Sequence, residues 1–550
     1  MRKLKNLVFV VLSAFALTAC DNNDQPAPIL AITGISPAQG PVGSDVTITG
    51  TQFSATAADN EVKFGNALAA VKTASPTQLV VTVPTGATNG PISVTVGGQT
   101  VQSTQSFIVS ARTVVEVVGI PQGQSTPAAG QVEITANTTW TANNVYLLKN
   151  YVYVKSGATL TIQPGTVIKG DKDTKATLII EQGARIVAEG TAAAPIVFTS
   201  NQPRGQRNYG DWGGVVLIGK APHNREGART FEGGIRGTFG TFNEPADNSG
   251  ILKYVRIEFP GIPLSNQFNS EINGLTMYGV GSGTVIDYVQ VSYSGDDTYE
   301  WFGGTVNAKH LVALRGWDDE FDTDWGWSGK VQYAVALRDP QYADQSTSNG
   351  FESDNFDPGV PATGPNAGMP LTSGQFANIS VFAFNTAPVA TQQAGNGPYG
   401  RAMHLRRNTS ISVFNSLFVG YPEGLRLDGT ATYENATAGR MRLEGIVLAN
   451  MTKPLAGAGG VTDAQVTEFF NATNRRNQIV SLTDLGTLRL NGATFTLTAP
   501  NFVPQSGSPL LTGGVTLPAG FEPTTYRGAF NTTDWTAGWT NYDPQNTDYN

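Results

Sequence analysis

Short runs in which apolar and polar residues alternate, separated by glycine, proline or asparagine, recur along most of the chain. Residues 79–83 and 92–96 alternate in this way, and the turn residues Asn89, Gly90 and Pro91 lie between them. An apolar period of two predicts half-buried β-strands, and such turns favour hairpins between them. Residues 29–110 are therefore predicted to form a small β-sandwich.

A different repeat begins after residue 111. Residues 158–168 (ATLTIQPGTVI) are echoed eighteen residues later by residues 176–186 (ATLIIEQGARI). A repeat that holds two or three short strands is typical of one coil of a β-solenoid. We predict an all-β protein in which residues 111–550 form a long parallel solenoid with loop insertions, capped by a tail that contains Trp535, Trp539 and Tyr542. The alternative, a set of separate β-sandwiches, predicts hairpin turns and no stacking period.

Composition agrees with this architecture and excludes one class of partner. Only 14% of the 550 residues are charged, whereas glycine and proline number 63 and 31, as expected for many short strands and turns. The net charge of −8 argues against nucleic acid as a partner, because phosphate binding requires a basic face.

The N-terminus reads as an export signal. Basic residues precede an apolar run at 7–17 that is too short to span a membrane, and the sequence Leu-Thr-Ala-Cys follows at 17–20. This end resembles a bacterial lipoprotein signal, which implies cleavage after residue 19, a lipid on Cys20, and a flexible tether over residues 20–28. Cys20 is the only cysteine, and lipidation accounts for an unpaired thiol better than ordinary cleavage nearby. We expect an outer-membrane protein at the cell surface, with a periplasm-facing position as the alternative.

Acidic residues recur with a period of twenty-two. Asp296 aligns with Asp318, and Glu300 aligns with Asp322. Neighbouring strands lie about 4.8 Å apart, so stacked carboxylates would repel one another without a cation between them. Oxygen ligands suit Ca²⁺, whereas a solvated acidic face is the alternative. Strand alternation over 318–324 predicts that the ligands are Asp296, Glu300, Asp318, Glu320, Asp322 and Asp324.

Aromatic and basic residues crowd the same region. Flat rings beside carboxylates are a common way to bind sugars, and about half of these rings are expected to pack in the core instead. The predicted ligand-binding residues are Trp301, Trp317, Trp325, Trp327, His404 and Arg406.

Two functions remain open. The first is non-enzymatic binding of a glycan or another extracellular ligand. The second is polysaccharide cleavage, either by Ca²⁺-assisted β-elimination with a basic residue or by hydrolysis with two carboxylates. The catalytic candidates are Asp296, Asp318, Asp319, Lys309 and Arg315. The sequence leaves the choice between binding and catalysis, the ligand and the oligomeric state undetermined.

Two stretches carry family resemblances. Residues 35–53 (ISPAQGPVGSDVTITGTQF) resemble the start of an IPT/TIG immunoglobulin-like domain, which implies a spacer or binding module over residues 29–110. The repeats above, with residues 210–214 (GDWGG) and 273–284 (NGLTMYGVGSGT), resemble Bacteroidetes-type lipoproteins that carry a pectate-lyase-like, right-handed parallel β-helix. This resemblance implies the fold and a surface address but no specific chemistry.

Overall fold

The computed structural model describes residues 29–225, 227, 229–240, 242–262, 271–355, 368–390 and 397–549. The predicted signal peptide, Cys20 and the tether lie outside these residues. The described chain is nearly all β, with an immunoglobulin-like domain followed by a parallel β-helix, which confirms the predicted fold class. None of its helices combines the length and the apolar character needed to cross a bilayer.

The N-terminal domain consists of two packed sheets. Its strands are β1 (Ala31–Ser36), β2 (Gln39–Pro41), β3 (Asp45–Thr51), β4 (Asn60–Phe64), β5 (Ala67–Ala69), β6 (Val71–Ser75), β7 (Gln78–Thr82), β8 (Gly90–Val96) and β9 (Gln99–Ser110). One sheet has the order β1-β3-β7-β6, and the other has the order β2-β9-β8-β4-β5. Alternate residues such as Val46 and Ile48 on β3, and Leu79 and Val81 on β7, are fully buried. The period-two pattern thus marks the face that forms this core.

The β-helix begins at Thr113. Its strands are β10 (Thr113–Val118), β11 (Thr138–Trp140), β12 (Asn144–Lys149), β13 (Tyr151–Val154), β14 (Thr159–Ile162), β15 (Val167–Gly170), β16 (Thr177–Ile180), β17 (Arg185–Glu189), β18 (Ile196–Ser200), β19 (Gly214–Ile218), β20 (Arg229–Thr230), β21 (Thr238–Phe239), β22 (Gly250–Glu258), β23 (Leu275–Tyr278), β24 (Val285–Ser292), β25 (Tyr299–Phe302), β26 (Asn307–Leu314), β27 (Phe321–Asp324), β28 (Lys330–Leu337), β29 (Phe351–Ser353), β30 (Gln375–Phe382), β31 (Arg401–Leu405), β32 (Ser412–Phe414), β33 (Leu417–Val419), β34 (Glu423–Asp428), β35 (Leu443–Glu444), β36 (Val447–Ala449), β37 (Lys453–Ala458) and β38 (Gln478–Val480). Two α-helices are α1 (Thr430–Thr437) and α2 (Asp463–Asn471), and single 3-10 turns lie at Ala57–Asp59, Glu232–Gly234, Thr473–Arg475, Leu485–Leu488, Pro509–Leu511 and Pro544–Asn546.

Successive coils stack their strands in parallel. In the described chain, ten strands form one sheet, which we call the narrow sheet, in the order β13-β16-β19-β23-β25-β27-β29-β31-β34-β37. A broad sheet of seventeen strands holds most of the others and supplies the remaining two sides of each coil. Side chains that point inward from both sheets form one continuous apolar core, as expected for a parallel sheet covered on its inner face.

The long strands of the broad sheet bend at one position per coil. Tyr254, Tyr288, His310, Tyr333 and Asn378 lie near the middle of their strands and have φ values between 50° and 62°. This left-handed backbone turns the strand from one side of the coil to the next. Four of these side chains stack outside the bend, with centroid separations of 4.5 Å for Tyr254 and Tyr288, 4.1 Å for Tyr288 and His310, and 5.2 Å for His310 and Tyr333.

The C-terminal tail does not cap the last coil, which corrects the prediction. After β38 it runs back along the outer face of the broad sheet, where Phe502, Phe530 and Trp539 cover apolar side chains that point outward, such as Val335 and Phe382. The tail is held by polar contacts as well, including the bond from the Tyr549 hydroxyl to Glu258 Oε1 at 2.5 Å. The last coil is instead closed by α2, whose Phe470 is fully buried in the core against β37.

Candidate functional site

Three carboxylates form a ladder on the outer face of the narrow sheet. Glu300 on β25 lies opposite Asp322 on β27, which lies opposite Glu352 on β29. The register between β25 and β27 is the twenty-two-residue period of the sequence. Parallel stacking therefore converts a repeated acidic position into a row of acids at about 4.8 Å spacing.

Acidic doublets in the turns that lead into these strands extend the ladder. Asp297 and Asp319 belong to consecutive turns, and the backbone N–H of Asp319 donates to Asp297 Oδ1 at 2.9 Å. Together with the ladder, these turns border a cavity of about 260 Å³. Nine described carboxylates line this acidic cavity: Glu232, Glu271, Asp296, Asp297, Glu300, Asp318, Asp319, Asp322 and Glu352.

Some oxygens of these carboxylates have no hydrogen-bond donor among the described residues. Asp296 is only 6% exposed, lines the cavity, and has no hydrogen bond to any described residue. The Oδ1 atoms of Asp318 and Asp322 are also buried without a partner in the described structure. An unpaired buried carboxylate normally costs several kcal/mol, so the protein tolerates this arrangement at the expense of stability.

Side-chain amides supply several of the hydrogen bonds that the other acids receive. Asn273 donates to Glu300 Oε2, and Asn349 donates through Nδ2 to Glu352 Oε2 at 3.1 Å and to Asp319 Oδ2 at 3.4 Å. Among the described residues that line the cavity, Arg406 is the basic one, and it is bonded to Glu352 and Asp354. Among the described lining residues, positive charge therefore lies beside Glu352.

The pKa values reflect burial and crowding. Burial, followed by the nearby charge of Asp318, raises the pKa of Asp296 well above its ordinary value. Burial and Asp319 do the same to the pKa of Asp297, and burial together with Asp344 raises the pKa of Asp318 to about 7. Burial also acts to raise the pKa of Glu352, but His404 and Arg406 outweigh it and hold that pKa below the ordinary value. Without a cation, burial and mutual repulsion therefore favour the protonated forms of Asp296, Asp297 and Asp318.

The arrangement suits hard cations. Two like charges 4 Å apart repel by about 4 kcal/mol at an effective dielectric constant of 20, and a divalent ion between them reverses the sign of that interaction. Three triads each bring three carboxylate oxygens within 4.8 Å of one another: Asp296, Asp297 and Asp318; Asp297, Glu300 and Asp322; and Asp319, Asp322 and Glu352. Oxygens bound to one Ca²⁺ at 2.3–2.6 Å lie within roughly 5 Å of each other, so each triad fits such an ion.

Glu320 was predicted as a ligand, and the structure corrects this. Strand β27 begins only at Phe321, so the alternation assumed for residues 318–324 does not apply to the turn before it. Glu320 is fully buried and its Oε1 lies 2.9 Å from Nη1 of the equally buried Arg338. It therefore does not line the cavity.

Asp324 is also occupied elsewhere. It does alternate outward with Asp322, but Nη2 of Arg225 bonds both of its carboxylate oxygens at 3.0 Å. Asp324 is not part of the cavity wall.

Most of the tryptophans that were predicted to bind a ligand are packing residues, which is more than the half expected from the sequence. Trp301 and Trp327 are fully buried in the coil interior, 5.1 Å apart between ring centroids. Trp325 packs on Phe302 outside the narrow sheet and is 8% exposed. Trp317 alone of the four is only partly buried, and its Nε1 donates to the carbonyl of Ala343 at 3.1 Å.

The basic candidates do not converge on the acids. Lys309 lies on the broad sheet, where its Nζ bonds Glu522 at 2.5 Å, and Arg315 bonds Asp339 Oδ2 at 2.5 Å. Neither lines the cavity. His404 and Arg406 do lie on β31 and just after it, next to Glu352, with His404 Nδ1 at 3.5 Å from Glu352 Oε2. Besides Glu352, His404 contacts Asp428 and Arg406 bonds Asp354, and both of these acids lie outside the ladder.

The prediction omitted several cavity residues. Asp297 belongs to the same doublet as Asp296, and the twenty-two-residue period aligns it with Asp319. Glu352 is the partner of Asp322 on the next coil but lies thirty residues after it, so the period does not mark it. Glu232 and Glu271 come from insertions between coils, and no periodic signal marks them.

Comparisons with known proteins agree with this architecture. Residues 132–488 match the family described as "Pectate-lyase like beta helix domain", and residues 30–109 match the "IPT/TIG domain". No curated protein matches the chain.

Similarity to solved structures is weak. An auxiliary nutrient binding protein from Bacteroides thetaiotaomicron is 22% identical over 16% of this chain and 21% of its own, with a TM-score of 0.15. A protein of unknown function from the same organism is 18% identical over 21% of this chain and 31% of its own, with a TM-score of 0.16. The chain thus spans less than a third of each. Dex49A from Penicillium minioluteum is 13% identical over 75% of this chain and 77% of its own, with a TM-score of 0.27.

TM-scores this low carry no argument about function. The family match, in contrast, covers more than half of the chain and coincides with the stacked parallel strands. This chain belongs to the family of proteins with a pectate-lyase-like β-helix domain, and it carries an IPT/TIG domain before that β-helix.

Proposed function

We propose that this protein binds an extracellular polysaccharide through Ca²⁺ held in the acidic cavity. The observation that carries the proposal is Asp296, a carboxylate that is 6% exposed, lines a cavity with eight other acids, and has no hydrogen-bond partner among the described residues. A site that holds such a group unpaired is best suited to a ligand that brings positive charge.

Calcium is the cation that this donor set favours. The described residues of the cavity wall offer carboxylate and amide oxygens and no thiol or imidazole, and Ca²⁺ takes six to eight oxygen ligands in flexible geometry. The protein does not supply every ligand to an ion in an open cavity, so sugar hydroxyls or a uronate carboxylate can complete the coordination. The pectate-lyase-like β-helix supports polysaccharide as the ligand class, although fold alone does not establish function.

We propose from the N-terminal sequence that the protein is anchored in the outer membrane. We expect Cys20 to carry the lipid anchor, residues 20–28 to act as a tether, and the IPT/TIG domain to act as a spacer between membrane and β-helix. A protein displayed in this way on the cell surface is exposed to extracellular polymers. Loss of lipid labelling and of membrane association in Cys20→Ser would support this part of the proposal, and unchanged association would contradict it.

Binding is tested with immobilised polysaccharides, both uronate-containing and neutral, in Ca²⁺ and in EDTA. We expect retention on at least one uronate polymer in Ca²⁺, loss of retention in EDTA, and loss in Asp296→Asn. Glu189→Gln, an exposed acid on β17 away from the cavity, is the matched control. Retention that persists in EDTA would contradict the proposal.

Hydrolysis is a second candidate, favoured by one observation. Burial and Asp344 raise the pKa of Asp318 to about 7, which suits a general acid at neutral pH, and Asp296 and Asp297 lie one coil away as candidate bases. The β-elimination alternative lacks support, because Lys309 and Arg315 lie outside the cavity wall. New reducing ends that form without an unsaturated uronate product and that disappear in Asp318→Asn would establish hydrolysis, and their absence with every bound polymer would exclude it.

A further inference from the structure

We infer that the acidic cavity holds two divalent cations side by side, bridged by the carboxylate of Asp297. The two-ion inference rests on the proposed function only because both take the cavity as a cation site. It adds the number of ions, their ligands and the coupling between them. It holds whether or not a polysaccharide is the final ligand.

The bridge follows from the way the triads share residues. Asp297 belongs both to the triad with Asp296 and Asp318 and to the triad with Glu300 and Asp322. A carboxylate has two oxygens and can give one to each of two ions. Both triads lie between the same two coils, one at the turns before β25 and β27 and the other at the start of these strands. Carboxylate-bridged ions are commonly about 4 Å apart.

The unpaired oxygens lie in these same two triads. Asp296 is only 6% exposed and has no hydrogen bond to any described residue. The Oδ1 atoms of Asp318 and Asp322 are buried and have no partner in the described chain. Each triad therefore contains at least one carboxylate whose coordination the protein leaves incomplete. This observation is independent of the acidic composition of the cavity.

The third triad is different, because its acids already have donors. Glu352 is bonded to Arg406, and Asp319 receives both the backbone N–H and the side-chain amide of Asn349. Its remaining member, Asp322, is shared with the second triad. Positive charge and donors supplied by the protein thus take the place of an ion at this end of the row.

The separation of the acids also favours two ions over one. Arg406, which lines the cavity, is already bonded to Glu352 and Asp354. An ion in the first triad leaves the other two acids of the second triad without a cation. An ion in the first triad orients Asp297 for the second, so binding is expected to be coupled.

The test is the stoichiometry of Ca²⁺, with Ca²⁺ alone as the probe, measured by equilibrium dialysis on the purified full chain. We expect two ions per chain, one ion in Asp296→Asn, and one in Asp322→Asn. Asp297→Asn keeps the oxygen that accepts from the Asp319 N–H but should weaken both sites by roughly 100-fold, beyond the effect of a residue that only supports a ligand. Glu189→Gln should still bind two.

A second measurement needs no variant. With Tb³⁺ and Eu³⁺ together, energy transfer between lanthanides in one chain is expected, since the two ions are within a few ångströms. One Ca²⁺ per chain with no transfer would overturn the two-ion inference and leave the proposed function standing. No bound Ca²⁺ at all would overturn both.

Discussion

Glu300 and Asp322 occupy directly opposed positions on the neighbouring parallel strands β25 and β27, so their carboxylates project from the same face one strand apart. Burial comes first among the causes that raise both pKa values. The charge of Asp322 also raises the pKa of Glu300, and the charge of Glu352 raises the pKa of Asp322. Like charges at this distance destabilise a fold, and such costs are typical of binding sites rather than of structural surfaces.

Removing one of these charges should stabilise the cation-free protein. Asp322→Asn keeps the side-chain shape and eliminates repulsion with Glu300 and Glu352, so at pH 8 in EDTA we expect the free energy of unfolding to rise by roughly 1 kcal/mol. The same change should reduce stabilisation by Ca²⁺. Denaturant unfolding of the variant beside Glu189→Gln measures both effects, and a loss of stability in EDTA would contradict this account of the ladder.

Stability without cations should depend on pH in the direction opposite to ordinary acid denaturation. Asp318 has a pKa of about 7 in the folded chain and 3.8 as its ordinary value, so between these values the folded state holds a proton that the unfolded state releases. Folding is then favoured at the low end of this window and loses stability as the pH rises through 7. The raised pKa values of Asp296, Asp297 and Asp319 act in the same direction.

Thermal melts in EDTA at pH 5 and pH 8 check this dependence. We expect a lower melting temperature at pH 8, and we expect Ca²⁺ to remove or reverse the difference because it binds the ionised acids. Glu352 and Asp428 have lowered pKa values, so their contribution to stability is lost only when the pH falls below their ordinary pKa values, which lie below pH 5. Equal melting temperatures in EDTA would show that the cavity acids ionise normally.

Arg338 should be needed to hold the acidic turn in place. It is fully buried, pairs with Glu320, and donates to the carbonyls of Gly316, Trp317, Asp318 and Asn349, which flank the cavity doublet. Arg338→Met leaves Glu320 buried and unpaired, at a cost of roughly 3–5 kcal/mol. Adding Glu320→Gln should restore part of this loss in a denaturant titration, and a single-variant loss below about 1 kcal/mol would contradict the arrangement.

The buried tryptophans should affect stability rather than ligand binding. Trp301 is fully buried between coils, so Trp301→Ala should cost roughly 3–5 kcal/mol, with Trp301→Phe costing less. Trp317→Phe, at a partly exposed position, is the matched comparison and should change the melting temperature little. If Trp301→Ala weakened polysaccharide binding without lowering the melting temperature, the core assignment would be contradicted.

The sequence predicted the elements that repeat. A parallel β-helix places residues one period apart directly beside each other, which is why the twenty-two-residue spacing of Glu300 and Asp322 gave the observed register. The position of Glu320 could not be derived in the same way, because alternation predicts a face only inside a strand and β27 starts one residue later.

Features without a period were missed or misplaced. Glu232 and Glu271 reach the cavity from insertions, whose paths depend on tertiary packing. The tail offered scattered apolar residues such as Phe502 and Phe530, and these fit a cap on the last coil as well as the observed cover along the broad sheet. The outward-facing apolar residues of the broad sheet distinguish these two arrangements of the tail, but from sequence alone those residues are predicted to lie in the core.

A calcium titration of the melting temperature tests whether the acidic cavity binds Ca²⁺. A cation that binds only the folded chain must raise the melting temperature as its concentration increases. The account predicts a rise with Ca²⁺ that EDTA reverses, that is much smaller in Asp296→Asn, and that Glu189→Gln retains in full. No rise at millimolar Ca²⁺, or an equal rise in Asp296→Asn, would contradict it.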